Sequence, residues 1–109
     1  MSPTKEPYYS VIFISTFKNN IDSKLYSEIG MEMIQLAKKQ PGYLGIDSAR
    51  DPDTTTGITV SYWKDEQSIA SWKKNQEHLV AQRLGRTSFY KHFKTIISKV
   101  EREYEFNEK

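Results

Sequence analysis

The sequence predicts an α+β fold: a four-stranded antiparallel sheet with two helices on one face. Three observations predict it. Residues 8–17 are rich in β-branched and aromatic side chains and apolar on both alternating faces, as in a central strand. Residues 22–39, and the segment after Asp65, carry apolar side chains at helical spacing. The loop 51–57 is short, so the two runs it joins must be antiparallel neighbours. The resulting order, β-α-β-β-α-β, is the ferredoxin-like split βαβ unit.

Each element has its own signal. In the first strand Tyr9, Val11, Phe13, Ser15 and Phe17 share one face, and Tyr8, Ser10, Ile12, Ile14 and Thr16 the other. Asn19, Asn20 and Asp22 supply turn and N-cap chemistry for the first helix, whose stripe is Leu25, Ile29, Met33 and Leu36. Lys38 and Lys39 suit its C-terminal dipole, and Gln40-Pro41-Gly42 ends it. A second strand runs from Tyr43 to Asp51 and a third from Ile58 to Trp63. Asp65 caps a second helix bearing Ile69 and Trp72, with a break expected near Asn75 and a C-cap at Gly85. Residues 87–94 read as an aromatic connector. Residues 95–106 alternate most clearly and read as the last strand, with Arg102 a lone charge on its covered face. The domain is expected to span residues 8–106, between tails at 1–7 and 107–109.

Composition removes several classes of function. With 109 residues there is room for one core. The absence of cysteine excludes disulfides, thiolate metal sites and a Cys nucleophile, and two histidines make a His-rich metal site improbable. No apolar run approaches the roughly 18–20 residues of a membrane span, and no secretory signal precedes Tyr8, so the expected compartment is the cytoplasm. Net charge is only +2, although residues 72–99 hold seven basic groups against Glu77 alone. That stretch is either a solvated helix face or an attraction for an anionic ligand. No Ser-His-Asp set, phosphate loop or zinc spacing appears. A nucleic-acid role is not expected, because a partner subunit should cover the sheet.

From the third strand onward a familiar series appears: Ser61-Tyr62-Trp63-Lys64-Asp65-Glu66, Ser71-Trp72-Lys73, Glu77-His78, Ala81-Gln82-Arg83-Leu84-Gly85-Arg86 and Phe89-Tyr90. With Gln40-Pro41-Gly42-Tyr43-Leu44-Gly45 before it and Val100-Glu101-Arg102-Glu103-Tyr104 after it, the chain resembles the antibiotic biosynthesis monooxygenase family over residues 8–106. The resemblance implies a homodimeric α/β barrel with a cavity between sheet and helices. It implies a cofactor-independent monooxygenase that oxidises a small phenol- or hydroquinone-like substrate with dioxygen. The alternative is a non-catalytic dimer that binds haem, a quinone or another apolar aromatic ligand. Haem-degrading relatives carry an Asn on the first strand and a His ten residues after the helical Trp. Here the first strand has no Asn and that later position is Gln82, which argues against haem degradation.

The resemblance also nominates residues. His78 is the candidate base and Arg86 the candidate anion holder. Trp72, Tyr62, Phe89, Tyr90 and Ser15 are candidates to line the substrate pocket. Each has a plainer alternative. Trp72 and Tyr62 suit core packing, His78 a helix surface, and Arg86 an ion pair at the dimer interface. Ser15 suits a place where another backbone passes closely. His92 has no motif support and reads as surface.

Overall fold

A computed structural model describes residues 7–85 and 88–108. The elements are β1 (Tyr8–Phe17), α1 (Ser23–Lys38), β2 (Tyr43–Arg50), β3 (Thr56–Trp63), α2 (Glu66–Leu84) and β4 (Tyr90–Val100). The four strands form one antiparallel sheet in the order β2-β3-β1-β4. This is the predicted ferredoxin-like α+β architecture. β1 is central, as its two apolar faces require.

Both helices begin where a side chain can take an orphan backbone donor. Asp22 Oδ1 accepts from the Leu25 N–H at 3.0 Å, and Asp65 Oδ1 from the Ser68 N–H at 2.8 Å. Gly42, at φ 84°, makes the left-handed turn after α1, and the Lys64 N–H closes on its carbonyl at 2.8 Å. α2 runs unbroken through Asn75. That side chain donates back to the Ser71 carbonyl and across to Gln40 Oε1, so it bridges the helices instead of ending one.

The last strand differs from expectation at both ends. It starts at Tyr90, inside the expected connector, and stops at Val100. Val100 pairs with Tyr8, the first residue of β1, and Pro7 beyond it has no N–H to offer. The alternation of residues 101–106 therefore continues with no strand to pair with. Arg102 is exposed and not a charge on a covered face.

The packed core sits at one end of the helix-bearing face. Ala37, Trp63, Ile69 and Trp72 are its buried members, with Tyr9, Val11, Met33, Leu36 and Tyr43 against them. The Trp63 and Trp72 rings stack at 5.6 Å, and the Trp63 indole N–H donates to Ser61 Oγ at 2.8 Å. Burying two such rings accounts for several kcal/mol, at about 25 cal/mol per Å².

The opposite face carries no helix. Ile12 lies between Val60 and Ile96 across three strands, and Ile14 is paired with Ile58. Ile58 is 46% exposed and Ile96 38%. Among the described residues no helix is long and apolar enough to cross a membrane.

Candidate functional site

Strand alternation sends a second set of side chains to the helix-bearing face, at the end away from the tryptophans. Tyr9 pairs with Trp63, whereas Ser15 lies six residues further along β1, about 20 Å at the strand rise. At that level one rung of the sheet reads Arg50, Gly57, Ser15 and Phe93 across β2, β3, β1 and β4.

Arg50 lies along this rung. Its Nη2 donates to Ser15 Oγ at 3.0 Å, and its Nη1 to the Ser15 carbonyl at 3.4 Å and the Thr55 carbonyl at 2.6 Å. Gly57 makes the path possible: a Cβ there would stand 2.5 Å from Arg50 Cζ. The guanidinium is 3.7 Å from the centre of the Phe17 ring and 5.7 Å from that of Tyr26. Thr55 sits at φ 58°, a region costly for a β-branched residue, and from there its carbonyl receives the Arg50 bond.

Aromatic rings continue from this cation in both directions. Phe17 packs on Tyr26 at 4.5 Å and on Tyr90 at 5.9 Å, and Tyr26 on Phe89 at 5.4 Å. Tyr90 in turn meets Phe13 at 5.4 Å and Phe93 at 5.9 Å. Burial drives the Tyr90 hydroxyl up to about 12; the neighbouring Tyr26 adds to the rise and Arg50 opposes it. Tyr90 therefore keeps its proton at neutral pH. Phe17, Tyr26 and Thr55 also line an open depression of about 680 Å³ shared with Lys18, Asn19, Asn20, Ile21, Ser23 and Ser27, whereas Arg50 borders a second, smaller one with Ala49, Asp51, Thr54, Thr56 and Ile58.

The sequence-predicted residues divide between this site and other places. Ser15, Phe89 and Tyr90 belong to the aromatic end, and Ser15 is the residue that Arg50 grips. Trp72 is buried in the core stack at the other end. Tyr62 is on the helix-free face, donating to Asp47 Oδ2 at 3.2 Å; burial and then that bond raise its pKa. His78 is exposed, on the side of α2 opposite the stripe of Ile69 and Trp72, so the structure does not bring it to either end. Arg86 lies outside the described residues. Among the described residues no three His, Cys, Asp or Glu side chains converge as a metal site would require.

Sequence reasoning missed Arg50, Phe17 and Tyr26 as site residues. The available signal was Gly57, a small residue across the hairpin from a long cation. It does not show which way the guanidinium turns.

Residues 24–84 match the family model described as antibiotic biosynthesis monooxygenase, more than half of the chain. The chain belongs to the antibiotic biosynthesis monooxygenase family. An uncharacterized Bacillus subtilis protein, YqjZ, is 41% identical over 109 residues, covering 99% of this chain and 93% of its own. Among solved structures, SnoaB, a cofactor-independent oxygenase from Streptomyces nogalater, superposes with a TM-score of 0.66 at 12% identity, over 84% of this chain and 90% of that one. A dimeric ferredoxin-like protein of unknown function from Thermobifida fusca superposes with a TM-score of 0.64 at 7% identity, over 88% and 93%. At these identities the structural likenesses show the fold, and fold alone does not set the chemistry.

Proposed function

We propose that this family member is a cofactor-independent monooxygenase. In this reading it works as a homodimer and oxidises a small phenol- or hydroquinone-like substrate with dioxygen. The observation that carries the reading is the run of rings from Phe93 and Phe13 through Tyr90 and Phe17 to Tyr26, at one end of the helix-bearing face. These rings offer stacking surfaces to a flat aromatic substrate. The family, and the oxygenase SnoaB among the similar folds, support the reaction class.

The substrate supplies all the electrons. An ionised phenol passes one electron to dioxygen, and the resulting pair combines at the ring carbon opposite the oxygen. The peroxide anion so formed takes up a proton, replacing the one the phenol lost on ionising, and the ring hydroperoxide then loses water: its O–O bond breaks and the ring hydrogen departs as a proton. One oxygen atom stays in the quinone, and the other leaves in water. The protein's part is to bind the ring, orient it and keep water from it.

Homodimer formation is supported by Ile12, Ile14, Ile58, Val60 and Ile96 on the helix-free face, an apolar strip that a second copy would cover. A binding-only role for the same hollow is favoured by one observation: no carboxylate or imidazole lines the depression. Oxygen uptake with 1-naphthol and related hydroquinones separates the two readings. Consumption above the protein-free rate supports oxygenation. Saturable binding without consumption supports a binder.

A further inference from the structure

We propose that residues 101–108 are an arm that adds, as a further strand, to the open outer edge of β4 in a second copy of this chain. The proposal rests on the homodimer reading and names a contact beyond the helix-free strip.

The arm has the pattern of a strand and nothing in its own chain to pair with. Residues 101–108 are exposed and hold neither turn, bend nor helix. Arg102, Tyr104 and Phe106 alternate with Glu101, Glu103 and Glu105. Tyr104 and Phe106 are each 87% exposed, two large rings left in water on one side of the segment. Because the arm continues β4 directly, it could reach that strand's outer edge in its own chain only by reversing. Residues 101–108 include no glycine or proline to make such a turn. The root of the arm is anchored instead. The Tyr8 hydroxyl, on the helix-free face, donates to Glu103 Oε2 at 2.9 Å. The arm thus leaves the sheet beside the face that a second copy is proposed to cover.

The receiving edge is chosen by exposure and charge. β4 ends the sheet, bonded to β1 on one side and open on the other. Residues 91–97 are exposed without a break, although alternation sends them to both faces. Phe93 is 57% exposed and Ile97 52%. An open edge with apolar side chains is a template for another strand. β4 also carries Lys91, Lys94 and Lys99 and no acid, whereas the arm carries four glutamates against Arg102. The other open edge, β2, offers only Asp47 and an Arg50 already bonded to Ser15 and Thr55. An acidic, aromatic arm therefore suits β4 and not β2. The lengths agree as well: the seven exposed residues of β4 span about 23 Å, within reach of eight extended residues.

The test is sedimentation equilibrium of the full chain and its variants, with circular dichroism to confirm that each is folded. The wild type is expected to dimerise at micromolar concentration. Tyr104→Ser with Phe106→Ser, and separately Glu101→Lys with Glu105→Lys, are each expected to weaken the dimer at least about tenfold. Adding Lys91→Glu and Lys94→Glu to the second pair should restore it to within about threefold. All these positions are exposed, so the protomer fold is spared. Carbodiimide cross-linking of mixed unlabelled and 15N-labelled chains should join a glutamate of 101–108 in one copy to Lys91, Lys94 or Lys99 of the other. A wild-type monomer would overturn this proposal together with the homodimer reading. A wild-type dimer that either arm pair leaves unweakened, a charge reversal that its counterpart does not restore, or cross-links confined to one chain would overturn the arm alone.

Discussion

Arg50 reaches Ser15 because the residue between them on the sheet, Gly57, has no side chain. This shows what a sequence exposes and what it conceals. Alternation along β1 was legible, and it placed Ser15 correctly among apolar neighbours. The reason for a hydroxyl there was not legible, since its partner comes from the far end of β2 and is set by a side-chain torsion. His78 shows the converse. A family-like motif drew attention to it, yet helical periodicity puts it opposite Ile69 and into solvent. His78→Ala is therefore expected to leave oxygen uptake with 1-naphthol within about twofold of wild type. A general base at that position would show itself as a loss on the order of 10²–10⁴-fold.

The elements themselves were the most readable level. Two aspartate caps, a Pro-Gly stop and a short hairpin loop are local chemistry, and each acts as its residues suggest. Where an element depended on its neighbour, local reading failed. Residues 101–106 alternate like a strand, but the pairing strand has ended at Tyr8. Asp65 gives the α2 cap a measurable pH signature. The Ser68 hydroxyl, then the Ser68 N–H, hold its carboxyl below the ordinary value of 3.8, with burial opposing and Lys64 assisting. A carboxyl with a depressed folded-state pKa stabilises the fold above 3.8, and that contribution fades as pH falls through the lower folded value. Asp65→Asn should thus flatten the acid limb of a stability–pH curve from denaturant melts below about pH 4 while leaving its neutral plateau without slope. An acid limb unchanged in slope would show that the cap does not carry it.

At the scale of the molecule, one sheet has two faces with different tasks. The helix-bearing face holds a closed tryptophan core at one end and an aromatic cluster around Arg50 at the other, with an open depression beside Phe17 and Tyr26. The other face has an isoleucine-rich strip and no helix to cover it. Because Ile58 and Ile96 are already substantially exposed, replacing both with lysine should spare the protomer fold while preventing the proposed dimer. Sedimentation at micromolar concentration should then show a single copy where the wild type is expected to show two; a monomeric wild type would contradict the dimer, and a variant that still dimerises would move the interface elsewhere. The oxygenase reading is tested most directly by turnover of 1-naphthol under 18O-labelled dioxygen, followed by mass spectrometry of the quinone. Enzyme-dependent formation of 1,4-naphthoquinone carrying one heavy oxygen is the predicted result. Quinone formed without label, or no oxygen consumption above the protein-free rate across the naphthol and hydroquinone panel, would contradict it.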